Sequence, residues 1–245
     1  MKLLTLFFII LILIPLVSAG VIEIEVKMKL SGKINFFSLE RKNNVIRAIS
    51  EFYNSGSVPY KVRARLDVLK NGELIFTGWS EEKDLMPGER KDFEIYWISL
   101  EEGNFESRIR FYFGNEIAEE NKSFRIDYVK APKDVFLIKN FRCYEDYLRF
   151  EIRANQSLDN VIVTISDYMH GWVFEQVKLN LTENRNKEVK IRFYPTVWRE
   201  SLVKINVFTE DGSYYSSSNF YLKKEKGLLK YLHMLYDKLS LVFNL

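Results

Sequence analysis

From residue 22 onward, apolar and charged positions alternate with a period of two along most of the chain. Ile22, Ile24, Val26, Met28 and Leu30 interleave with Glu23, Glu25, Lys27 and Lys29. Val62, Ala64, Leu66 and Val68 do the same against Lys61, Arg63, Arg65 and Asp67, and Phe93, Ile95 and Trp97 against Glu94 and Tyr96. Side chains of a strand point alternately to its two faces, so each run predicts a half-buried antiparallel strand. Turn residues divide the runs: Asn54-Ser55-Gly56, Asn71-Gly72, Pro87-Gly88, Gly103-Asn104 and Gly114-Asn115. A strand over 105–113 and a last one ending near Ile126 bring the count to about seven, the number for one sandwich.

Alternation lapses over Val129-Lys130-Ala131-Pro132-Lys133, which predicts a linker. It resumes at Leu148, Phe150, Ile152 and Ala154, then at Val161, Val163 and Ile165, at Val189, Ile191 and Phe193, and at Val203, Ile205 and Val207. Asp211-Gly212 then turns the chain into a strand over 214–222. The expected architecture is therefore all-β: two tandem Ig-like β-sandwiches, over 20–128 and 134–223, joined by a linker at 129–133.

Both ends break the pattern. Lys2 precedes an unbroken apolar run from Leu3 to Val17 that ends in Val17-Ser18-Ala19. That is the form of a secretory signal peptide cleaved after Ala19, with an uncleaved N-terminal anchor as the competing reading. Beyond Gly227 the period changes to that of a helix. Polar Lys226, Lys230, His233, Asp237, Ser240 and Asn244 form one stripe, leaving Leu228, Leu229, Leu232, Leu235, Leu239, Val242 and Phe243 on a wide apolar face. With Lys230, Asp237 and Lys238 inside it, this amphipathic helix over 227–245 suits a membrane surface, a groove on an envelope partner or the second sandwich better than a membrane span. The lysines at 223–230 favour an anionic lipid surface.

Charge narrows the function classes. The chain holds 36 basic and 33 acidic residues, and loss of residues 1–19 removes one lysine. Near-neutrality argues against a nucleic-acid partner. The single cysteine, Cys143, allows no internal disulfide and reads as a buried small apolar residue.

Over Phe52 to Phe113 the chain resembles the extracellular Ig-like modules of prokaryotic surface proteins called CARDB domains. The resemblance rests on Asn54-Ser55-Gly56 before a long strand, the Asn71-Gly72 hairpin, Leu85-Met86-Pro87-Gly88-Glu89 leading to a strand that ends in Trp97, and Gly103-Asn104-Phe105, where the family more often has tyrosine in the last place. It implies a seven-stranded sandwich with no active site of its own.

Candidate chemistry is sparse. His170 and His233 lack a second ligand or base at a useful spacing, so no catalytic residue, metal or cofactor is expected. If the strands at 61–67 and 106–110 are neighbours, Lys61, Arg63, Arg65, Arg108 and Arg110 share an outer face suited to an anionic glycan, a lipid head group or a protein. Cross-strand pairing with Asp67 and Glu106 is the competing reading. Trp79, Trp172 and Trp198 lie near turns and could stack on sugars. Asn121, Asn155 and Asn180 head Asn-x-Ser/Thr sequons. The expected function is non-enzymatic contact at the cell surface. A secreted glycan-binding module is the alternative, and an accessory subunit or chaperone of an envelope assembly is the weaker one.

Overall fold

The computed structural model describes residues 28–144, 147–167, 172–192 and 200–223, and within them the chain is all-β. The first half holds β1 (Gly32–Lys42), β2 (Val45–Asn54), β3 (Tyr60–Lys70), β4 (Glu73–Leu85), β5 (Arg90–Ile98), β6 (Gly103–Phe113) and β7 (Glu116–Ile126). The second holds β8 (Phe136–Cys143), β9 (Tyr147–Ala154), β10 (Leu158–Asp167), β11 (Trp172–Leu181), β12 (Lys187–Arg192), β13 (Glu200–Thr209) and β14 (Tyr215–Lys223).

Turn chemistry closes the hairpins. Asn71 and Gly72 sit at φ +53° and +82° between Lys70 and Glu73, the left-handed pair that a two-residue hairpin needs. Pro87-Gly88 makes a second tight turn, with the Glu89 amide donating to the Met86 carbonyl at 3.0 Å and Gly88 at φ +79°.

In each half the inward positions of the strands meet in one apolar core. In the first, Ile46, Ala48 and Phe52 of β2 and Phe93, Ile95 and Trp97 of β5 face Val62, Ala64, Leu66, Ile109 and Phe111 of β3 and β6. In the second, Leu148, Phe150, Ile152, Val189 and Ile191 face Val161, Val163, Ile165, Val203, Ile205 and Val207. The sheets β1-β2-β5 and β12-β9-β8 thus each cover four strands of a third sheet. The halves repeat one strand order, β8 to β14 tracing the path of β1 to β7.

That third sheet runs through both halves in the order β14-β13-β10-β11-β4-β3-β6-β7. The sequence predicts only a linker between the blocks, whereas the structure adds a parallel pairing of β11 with β4, Trp172 opposite Thr77 and Val173 opposite Gly78. A Cβ on Gly78 would stand 2.6 Å from the Phe76 ring, so any larger residue at this join would have to push that ring aside. The linker is tied to both halves as well. Buried Asn44 binds the Lys130 amide at 3.0 Å and its carbonyl at 2.5 Å, while Lys133 bridges to Tyr214.

The two cores lie on opposite sides of the shared sheet. Ser166 pairs with Val173, Val173 belongs to the first core, and the neighbouring Ile165 belongs to the second. Successive side chains of a strand alternate faces, so the outer face of each four-stranded half continues the inner side of the other.

Three strands depart from the expected pattern, each at an irregularity. Of the strand expected over 22–30, residues 22–27 fall outside the described residues and 28–30 form no strand; the first described strand is β1, where a bulge between Ile34 and Phe36 breaks the period. β8 is irregular between Lys139 and Arg142, with Asn140 at φ +54°. In β11 the register shifts by one residue near Val173, which scrambles its parity.

Candidate functional site

Two clusters of chemically capable side chains flank the join between the halves, one on each face of the shared sheet. On the first, β3 pairs with β6, Arg65 opposite Arg110 and Asp67 opposite Arg108, which puts Lys61, Arg63, Arg65, Arg108 and Arg110 on one face. Their charges are spent locally. Asp67, 4% exposed, accepts from Arg65 Nε at 2.8 Å, from Arg110 at 3.1 Å and from the Thr77 hydroxyl at 2.7 Å. Arg110 Nε also reaches Glu119 at 2.9 Å, and Lys61 reaches Glu82 at 3.2 Å. The Glu119 contact is the leading cause of a raised Arg110 pKa. Arg108 lies 3.9 Å from Glu106, and its buried Nε has no hydrogen-bond partner among the described residues.

Trp79 and Trp172 lie on this same face, a juxtaposition that strand periodicity does not reveal because it depends on the β4–β11 pairing. The Arg63 and Arg65 guanidinium groups lie 5.0 and 5.7 Å from the Trp79 ring centre, Tyr112 lies 5.2 Å from it, and Arg65 also covers Trp172 at 5.9 Å. Arginine over an indole is attracted by the negative face of the ring. The result is an arginine–tryptophan ladder that crowds the ring a sugar would need at Trp79. Trp198 lies outside the described residues.

The second face is formed where β5 meets the outer side of β10, β13 and β14. Val45, Tyr96, Ile162 and Phe208 make a small core there, and Gln176 supplies a side-chain substitute for a missing strand. Its Oε1 accepts from the Tyr96 amide at 2.8 Å and its Nε2 donates to the Tyr96 carbonyl at 2.6 Å. A polar chain extends from this point. Arg47 bonds Glu94, the Tyr96 hydroxyl donates to Glu94 at 2.8 Å, and Lys178 joins the Tyr96 hydroxyl at 3.5 Å to Glu210 at 3.0 Å. Burial, helped by Glu94, pushes the Tyr96 phenol far above its ordinary pKa. Burial also opposes ionisation of Glu94, but hydrogen bonds from Arg47 and Tyr96 outweigh it and hold the carboxyl below its usual value.

Beside this seam lies a cleft of about 410 Å³. Its lining mixes apolar Phe76, Trp97, Phe105, Val173 and Phe208 with polar Thr164, Ser166, Asn206 and Tyr215. Sequence reasoning misses it because these polar residues occupy outward strand positions, where solvent is the ordinary expectation. One signal was present. Val161-Ile162-Val163 is a continuous apolar run, the mark of a strand covered on both faces.

Asn121, Asn155 and Asn180 are all exposed. Asn121 stands on β7, Asn155 follows β9, and the Asn180 Oδ1 accepts from the Asn160 amide at 3.0 Å. Cys143 closes β8, half-buried against the second core. His170, His233, residues 1–19 and the helix positions Leu228, Leu229, Leu232, Leu235, Leu239, Val242 and Phe243 lie outside the described residues. Among the described residues no group of three His, Cys, Asp or Glu side chains is placed to hold a metal ion, and no helix is long and apolar enough to cross a membrane.

No family model matches the chain, and no curated protein matches it. Among solved structures it is similar to a red sea bream transglutaminase, at 8% identity and a TM-score of 0.26, over 82% of this chain and 31% of that one. It is also similar to the Amycolatopsis orientalis exo-chitosanase CsxA, at 6% identity and a TM-score of 0.28, over 75% of this chain and 26% of that one. The chain thus spans less than a third of either protein, and likenesses this distant carry no argument about function.

Proposed function

We propose that this chain is an exported protein of the cell surface that works by non-catalytic contact. Tandem Ig-like sandwiches, the first CARDB-like, would present a surface to another envelope component. Residues 1–19 would direct export, and the helix over 227–245 would hold the protein at the membrane or on a partner.

One observation carries the reading. The side chains with the most capacity for chemistry, Asp67, Arg65, Arg110, Arg63 and Trp79, are bonded or stacked on one another at the join. There they brace β3, β4 and β6 against one another, and Arg65 reaches across the join to Trp172, a structural use of charge and not a reactive one. The seven-strand path of β1 to β7, split into three strands facing four, supports the Ig-like part of the reading.

The test compares full-length protein with a version ending at Lys226 in membranes of its own host after a high-salt wash, with intact masses read in parallel. Sedimentation of the full-length form alone, with a mass lacking residues 1–19, is the expected result. Sedimentation of both forms with residues 1–19 retained would make the N-terminal run the anchor. If neither form sediments, attachment through the helix is wrong. Robust hydrolytic turnover that is lost on changing a His, Asp or Glu would overturn the non-catalytic reading.

A further inference from the structure

The cleft beside Tyr96 has a mixed lining. Trp97, Phe105, Val173 and Phe208 are apolar, as are the half-exposed Ile75 and Leu100. Among them stand the neutral polar groups of Thr164, Ser166, Asn206 and Tyr215, with Ser166 directly beside Val173. Their own bonds leave capacity unused. Asn206 Nδ2 reaches Thr164 Oγ1, and the Ser166 hydroxyl reaches the Lys204 carbonyl, each at 3.4 Å, beyond the ordinary range for good hydrogen bonds. Only the Tyr215 hydroxyl to Asn206 Oδ1, at 3.0 Å, is of normal length. Lys204 and Glu101, one of each sign, are the charged groups that line the cleft.

That mixed lining discriminates among ligand classes. A wholly apolar ligand would bury the half-exposed Asn206 amide, whose Nδ2 has only a long bond to Thr164, without a better partner, which costs free energy. An ion finds no excess of opposite charge. An extended peptide would need the open backbone edge of β5, and Gln176 already occupies the amide and carbonyl of Tyr96 there. A pyranose ring matches a mixed lining of this kind, because it carries a face of C–H groups and a rim of hydroxyls. The volume, about 410 Å³, falls within the range of small-ligand sites.

We propose that this cleft binds a neutral saccharide, a short stretch of pyranose units from a surface glycan. The inference rests on the reading of the chain as a non-catalytic contact protein but not on how it is attached to a membrane. Failure here leaves the sedimentation experiment unchanged.

The test is an NMR titration of the purified protein with chitotriose, cellotriose and mannotriose, and with an oligogalacturonate as the acidic control, each to roughly 10 mM, a level that reveals even weak sites. At least one neutral sugar should produce saturable shifts at the Thr164 methyl, the Trp97 indole N–H and Tyr215. Asn206→Leu should weaken binding about tenfold through lost hydrogen bonds. Leu100→Asp, at an exposed position that folding does not depend on, should weaken it as well. No saturable shift at these residues with any neutral sugar overturns the proposal. So does binding undiminished in both variants, or a response to the acidic sugar alone.

Discussion

The two faces of the join hold the same halves together with different chemistry. The ladder face uses charge: Asp67 sits nearly buried between Arg65 and Arg110, and the Arg65 guanidinium covers Trp79 in its own half and Trp172 across the join. The seam face uses a borrowed backbone edge, with Gln176 filling the place of a strand beside Tyr96 and a small apolar core around Phe208. Binding capacity is left on one face more than on the other. Asp67, Arg65 and Arg110 on the ladder face have satisfied one another, whereas the neutral groups beside the seam keep long bonds and an open cleft.

The largest break in this comparison should come from Asp67→Ala. It leaves the Arg65 and Arg110 guanidinium groups facing each other, and the Thr77 hydroxyl without its acceptor, at a site the solvent barely reaches. Removing one partner of a buried ionic cluster costs about 3 kcal/mol, and urea unfolding should show a loss of that order. A loss below about 1 kcal/mol would mean that the ladder behaves as an ordinary solvated surface.

Much of each half is legible in the alternation, because a strand with one wet face must alternate. The facing cores follow from Phe52, Val62, Leu66, Ile95 and Ile109, all at inward positions. Asn71-Gly72 and Pro87-Gly88 mark turns because few other pairs adopt those backbone angles. The ladder was legible only in part. That Lys61, Arg63 and Arg65 share a face follows from the period of two, but the meeting of Arg65 with Trp172, 107 positions further along, depends on the pairing of β4 with β11, which no local pattern encodes. β11 itself is hidden by its register shift, and the cleft by the fact that Thr164, Ser166 and Asn206 read as ordinary solvent-facing positions.

A smaller effect is expected on the seam face. Gln176→Ala removes two hydrogen bonds and leaves the Tyr96 amide and carbonyl without their partners, at a net cost of about 1–2 kcal/mol. The more specific readout is hydrogen exchange. The Tyr96 amide should exchange faster, while amides on the ladder face keep their protection. Loss of protection on both faces at once would show that the join opens as a single unit, and the contrast between the two faces would then fail.

The smallest effects separate the faces by pH. Glu94 and Asp211, both on the seam side, are held below their ordinary pKa values. Burial opposes ionisation in each, but Arg47 and Tyr96 outweigh it for Glu94, and the hydroxyls of Ser213 and Thr209 with the Ser213 amide outweigh it for Asp211. A carboxyl depressed in the folded state adds stability above its unfolded pKa, near 4, and that stability is lost as pH falls through the folded value. Unfolding free energy should therefore be nearly flat from about pH 7 to 5 and decline below about pH 4. Glu94→Gln and Asp211→Asn should each flatten part of that decline. On the ladder face, Glu119 is also lowered, chiefly by its hydrogen bond to Arg110, but it is exposed and screened by salt, so Glu119→Gln should change the slope little. Urea titrations of the three variants from pH 7 to 3 decide the matter. If Glu119→Gln flattens the acid limb as much as Glu94→Gln does, the ladder face is as well shielded as the seam, and the two faces differ in chemistry but not in their exposure to solvent.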